Sequence, residues 1–321
     1  MQKQSADHLS RRNPLPEKIM SHTPSPTPTP EVYCDRVQTQ LKIFYQQNPQ
    51  IGESHGLPHV MAVHLHAVNA IDSHRNVQKE SPHVHKISDT TAMEIRVAAM
   101  LHDVDDRKYF PSNEKDQSIT EDLSNLPNAQ QISKSAGIPQ ANIQNILKMI
   151  TWVGCAENGN SIPPEILENK TYHLLIPRWS DRLEAVGSIG VVRCYQYNRE
   201  TGAPLWKNDD LYDSPRPSCE KDVWTLATPQ RFEEYLKGEI GGRKKNGSNT
   251  NDNSERSSMM SHYYDKLLHV ARPPPGIVQN EYLEATARDA SKELVEVCLR
   301  FGLTGAVDEE YILGLEKQLS N

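Results

Sequence analysis

The sequence predicts an all-α fold. Apolar residues recur at three- and four-residue spacing along most of the chain, and no convincing run alternates apolar with polar residues as a half-buried strand does. The two segments that lack this spacing are polar and rich in proline, or in glycine and serine.

Taken in order, Tyr33, Val37, Leu41, Phe44 and Tyr45 mark a first helix, and Val60, Val63, Ala67, Ala70 and Ile71 a second. Thr91 to Leu101 forms a third that is apolar around most of its circumference, which predicts a central position. Ile143, Ile146, Leu147 and Ile150 mark another. A long helical segment is expected from about Tyr172 to Tyr197, carrying Leu174, Leu175, Leu183, Val186, Ile189 and Val192. Helices near 228–239, 258–271, 281–302 and 308–319 complete the pattern.

The chain has 321 residues, enough for one large domain. Its apolar share of 36%, even with 16 glycines added, falls below the roughly 45–50% of ordinary globular chains. Unfolded pieces attached to a normal domain are therefore expected. Residues 1–30 end in SHTPSPTPTP, where proline at every second position opposes helix, so this stretch reads as a disordered tail. Residues 241–258 contain almost nothing to bury and read as a disordered surface insertion, with Lys244 and Lys245 a solvated charge run. The helical domain then spans 31–321.

A net charge of -7 argues against a general nucleic-acid coat. No apolar run approaches the roughly 18–20 residues that span a bilayer, and the N-terminal stretch lacks a signal-peptide pattern. The five cysteines are scattered and never form a CxxC pair. Reduced, cytoplasmic usage is expected from them.

Eight of the 13 histidines lie between His55 and His102. His102 and Asp103 end the central apolar helix, where a polar pair is costly to bury unless something partners it. Asp181 sits in RWSDRLEAVGSIGVVR, followed by Ala185, Gly187, Ser188 and Gly190, which permit close approach of a backbone or ligand. With His59 from SHGLPHVMAV, the order is H…HD…D, two imidazoles and two carboxylates suited to a divalent transition metal. His64 and His66 form no simple helical stripe with His59, and His83 and His85 in SPHVHK read as a solvated loop rather than a metal clip.

SHGLPHVMAV, LHDVDDRKYF and SDRLEAVGSIGVVR followed by SHYYDKLL together resemble the HD superfamily of metal-dependent phosphohydrolases. The resemblance is closest to bacterial HD-domain nucleoside-triphosphate pyrophosphohydrolases and covers about residues 32–305. It implies an HD-type helical bundle with His59, His102, Asp103 and Asp181 as ligands for Mn, Co, Ni, Fe or Zn. It also implies Asp106 as a proton-handling carboxylate and Lys108 as a cation facing phosphate. Arg182, Arg193, His262 and Lys266 become candidates for binding the rest of a nucleotide. Two positions depart from the family pattern: His55-Gly56 replaces the usual His-Asp, which removes a supporting carboxylate, and Trp179 stands where an aspartate is common.

The expected activity is hydrolysis of a phosphate ester or anhydride in a small molecule, a nucleotide above all, with no membrane partner and a homodimer left open. The alternative is a non-catalytic nucleotide-binding or regulatory module that keeps the pocket.

Overall fold

The computed structural model describes residues 28–52, 55–80, 85–110, 125–211, 214–238 and 257–319. Its described residues contain helices and no strand. Residues 1–27 of the expected tail, 241–256 of the expected insertion, Lys244, Lys245 and His83 lie outside them. Two limits of the sequence reading need correction. Pro30 opens α1 (Pro30–Gln47), because a proline in the first turn forfeits no helical hydrogen bond. Ser257 and Ser258 belong to the folded part: the Ser258 hydroxyl is buried, caps the next helix through Ser261 N at 2.9 Å and donates to Asp210 at 2.7 Å.

Around α3 (Asp89–Leu101) a first apolar cluster assembles. Ser88 caps this helix by accepting from Thr91 N at 3.0 Å, and every residue from Val97 to Leu101 is buried. The buried Glu94 is satisfied by Asn142 and Asn145 on α5 (Gln140–Thr151) at 2.7 and 2.9 Å. α1, α2 (Leu57–Glu80) and α8 (Ile176–Leu183) pack on the other sides of α3. Between these lie α4 (Pro127–Ser135), α6 (Cys155–Asn158) and α7 (Pro164–Asn169), too short in apolar repeat to show in the sequence.

The long helical segment expected over 172–197 comes in three pieces: a 3-10 turn at Tyr172–Leu175, α8, and α9 (Gly187–Thr201). Val186 is extended and Gly187 has φ +73°, a left-handed conformation that favours glycine. Three residues on, a Cβ at Gly190 would come within 2.4 Å of the Ala185 backbone, so glycine is needed for α9 to fold back this tightly.

After the break, a second apolar cluster gathers α9, α10 (Glu220–Leu226), α12 (Met259–His262), α13 (Leu268–Ala271), α14 (Glu281–Thr304) and α15 (Glu309–Leu319). α11 (Pro229–Lys237) packs on the π turn Tyr263–Leu267 that joins α12 to α13. α14 contacts α2 and α8 as well as α9 and α13, tying the two clusters together.

Candidate metal centre

His59 lies in the first turn of α2, His102 caps the C-terminus of α3 with Asp103 beside it, and Asp181 comes from α8. The structure brings all four side chains together. His59 Nε2 is 3.4 Å from Asp103 Oδ2 and 3.5 Å from Asp181 Oδ1. His102 Nε2 is 3.4 and 3.3 Å from the same two atoms. One donor atom each from His59, His102 and Asp181 lies within 4.8 Å of the others, a spacing that can hold a metal ion.

The chemistry of the donors fits a divalent cation. His102 Nδ1–H donates to Ala99 O at 2.9 Å, which places the lone pair on Nε2. That Nε2 is buried and has no hydrogen-bond partner among the described residues. Burial alone would lower the pKa of His59, yet Asp103, Asp181 and Glu184 raise it to about 9. Against burial, Asp103 and Asp181 lift His102 well above its usual range, while the imidazoles hold Asp103 and Asp181 well below theirs. Two imidazoles and two carboxylates thus demand positive charge between them, which a dication supplies without protons.

Around these four stand residues that brace them. Glu184 Oε2 is 3.9 Å from His59 Nδ1, and its Oε1 is 3.2 Å from His66 Nε2. Burial would raise the Glu184 pKa, but its two histidine neighbours bring it down to about 2. His66 is tied in turn to Tyr282 Oη at 2.8 Å, which links the centre to α14. Glu184 thereby supplies a supporting carboxylate where His55-Gly56 lacks one. The sequence carried a signal for it, since Glu184 follows Asp181 by three residues and shares its helix face.

His59, Asp103 and Asp181, with the buried His102 behind them, open into a cleft of about 640 Å³ at the seam between the two apolar clusters. Asp106, Lys108, Arg193, His262 and Lys266 all line it. Lys108 Nζ is 3.2 Å from His55 Nε2 and 3.7 Å from Asp106 Oδ2, and Asp106 Oδ1 accepts from Lys108 N at 2.9 Å. Burial and the Lys108 charge push His55 down to about 4, so the ring is a neutral acceptor. Arg193 donates to Glu184 O at 2.8 Å and approaches His59 Nδ1 at 3.3 Å. His262 meets Tyr235 edge-on at 5.9 Å, and Lys266 Nζ lies 5.8 Å from the same ring.

Arg182 departs from expectation. It is buried outside the cleft, donates to Asn160 Oδ1 at 2.6 Å and to Gly159 O, and stacks on Trp179 at 4.5 Å. Successive helical residues point about 100° apart, so directing Asp181 into the site turns Arg182 away. His64 is also buried, accepting from Arg96 Nε at 3.3 Å. A hollow of about 680 Å³ beside α10 and α11 offers no comparable donor set, and Arg231 on its wall is paired with Asp265 at 2.6 Å.

No protein-family model matches the chain. It is 28% identical over 249 residues to an uncharacterised protein of Acanthamoeba polyphaga mimivirus, covering 77% of this chain and 88% of the relative. Its fold resembles a crystal structure of a Lactobacillus plantarum protein with a TM-score of 0.50 at 15% identity, covering 84% of this chain and 95% of the other. At that identity the likeness concerns the fold alone. The chain is a helical protein with a His/His/Asp group able to hold a divalent metal ion.

Proposed function

We propose that the protein is an HD-type metal-dependent phosphohydrolase acting on a nucleotide or a related phosphate ester or anhydride. The observation that carries this reading is the convergence of His59, His102, Asp103 and Asp181, three of which line a cleft whose walls bear Lys108, Arg193 and Lys266. A divalent ion bound there supplies Lewis acidity toward a phosphoryl oxygen and makes water nucleophilic at neutral pH.

The chain's own residues do the rest. The His102 bond to Ala99 O and the Glu184 contact with His59 fix the donor atoms before substrate arrives. Lys108 and Arg193 offset phosphate charge near the centre, and Lys266 with His262 does so farther along the cleft. Asp106, beside Lys108, is placed to hold or release a proton. Tyr197, exposed on the wall, gives an aromatic face on which a base can stack.

The test is a release assay over a panel of nucleotides with Mn, Co, Ni, Mg or EDTA, reading pyrophosphate and orthophosphate separately. Metal-dependent release from at least one nucleotide is expected. Silence across the panel with metal bound would instead mark a nucleotide-binding module.

A further inference from the structure

At the other end of α2, three histidines from separate elements meet. His74 lies in α2, His85 in the segment leading to α3, and His173 in the 3-10 turn before α8. The His74 and His173 ring centroids are 5.5 Å apart, close to the 5.2 Å between His59 and His102. His85 stands 6.1 Å from His173, outside any helix and exposed; as placed, the donor atoms of the three rings do not all lie within the 4.8 Å that marks the first centre, so a shared ion requires the His85 side chain to turn toward the other two. His74 Nε2–H donates to His85 O at 2.9 Å, which leaves the His74 lone pair on Nδ1. His173 is only 8% exposed, and its Nδ1 has no hydrogen-bond partner among the described residues. A buried ring nitrogen without a partner is costly, and an imidazole lone pair is a good metal ligand.

We propose that His74, His85 and His173 form a second divalent-cation site of the all-imidazole class, which takes zinc, copper(II) or nickel in preference to manganese or magnesium. Fifteen residues of α2 separate His59 from His74, about 22 Å at 1.5 Å per residue, so the two sites hold separate ions. The ion ties the segment that starts α3 to the turn that starts α8. Those helices carry His102 with Asp103, and Asp181, so occupancy stiffens the frame of the first centre without contributing to it directly. The proposal does not depend on the hydrolase reading.

Zinc loading of the full chain, stripped with EDTA and desalted, separates the sites. Elemental analysis should find two zinc ions per chain in wild type, one in His102→Ala/Asp103→Ala and one in His74→Gln/His85→Ala. The exposed His85→Ala variant guards against misfolding: calorimetric titration with zinc should show one of two sites weakened tenfold or more. Equal zinc content and unchanged affinity in His85→Ala would overturn the proposal, as would a wild type that binds a single zinc.

Discussion

Asp181, Arg182 and Glu184 show how much a single helical turn decides. Asp181 faces the centre, Arg182 is turned into a buried contact with Gly159 and Asn160, and Glu184 returns to the Asp181 face to brace His59 and His66. The wrong placement of Arg182 and the omission of Glu184 from the sequence reading share one cause. Motif spacing marks a segment as important, but helical phase selects which of its side chains reach the site. Glu184→Gln keeps the shape and removes the charge that steadies His59. Metal affinity should fall about ten- to a hundredfold, read by titration with manganese. An unchanged affinity would show that His59 needs no such support. Lys108→Ala should cost about ten- to a hundredfold in kcat/KM, because Lys108 is one cation among several in the cleft. A loss as large as that of a metal ligand would give it a different role.

At the scale of elements, the break between α8 and α9 shapes the cleft. The apolar spacing of Tyr172–Tyr197 runs through it without interruption, because both helices bury the same kind of residue. Only Gly187 and Gly190 betray it, one by its positive φ and the other by lying against the Ala185 backbone. The expectation that small residues permit close approach was legible; that the approaching backbone is the chain's own was not. Gly190→Ala should destabilise the protein by about 1–3 kcal/mol through overpacking. It should also lower metal affinity, since Arg193 follows on the same helix and bonds to Glu184 O. Thermal melts with and without manganese check both effects. A variant as stable as wild type would show that the turn relaxes freely. Ser258→Ala removes a helix cap and the bond to Asp210, and a loss of about 1 kcal/mol is expected in denaturant unfolding.

Across the whole molecule, two apolar clusters meet at the cleft and α14 spans them. The metal donors were legible because their residue types and order are unusual in a chain that otherwise repeats apolar spacing. The walls were harder to read, since Arg193 and Lys266 come from helices far apart in sequence that only tertiary packing brings together. Away from the cleft, buried His64 accepts a hydrogen bond from Arg96, and burial first and the Arg96 charge second lower its pKa to about 4. The unfolded chain then takes up this proton near pH 6.5, before the folded one does. Stability should be intact above about 6.5 and fall as pH drops toward about 4, by at most about 3 kcal/mol from this group. His64→Gln keeps an acceptor for Arg96 and should flatten that part of the profile relative to wild type. Parallel profiles would assign the acid sensitivity to other groups.

The most direct measurement is nucleotide hydrolysis by wild type and Asp103→Ala, both loaded with manganese and assayed for pyrophosphate and orthophosphate. Asp103 Oδ2 lies 3.4 Å from both His59 Nε2 and His102 Nε2, against the His59/His102/Asp181 group. Its loss should lower the rate by about a thousandfold or more, equivalent to about 4 kcal/mol of transition-state stabilisation. A metal-loaded Asp103→Ala protein that keeps most of the wild-type rate would place the chemistry elsewhere and contradict the account.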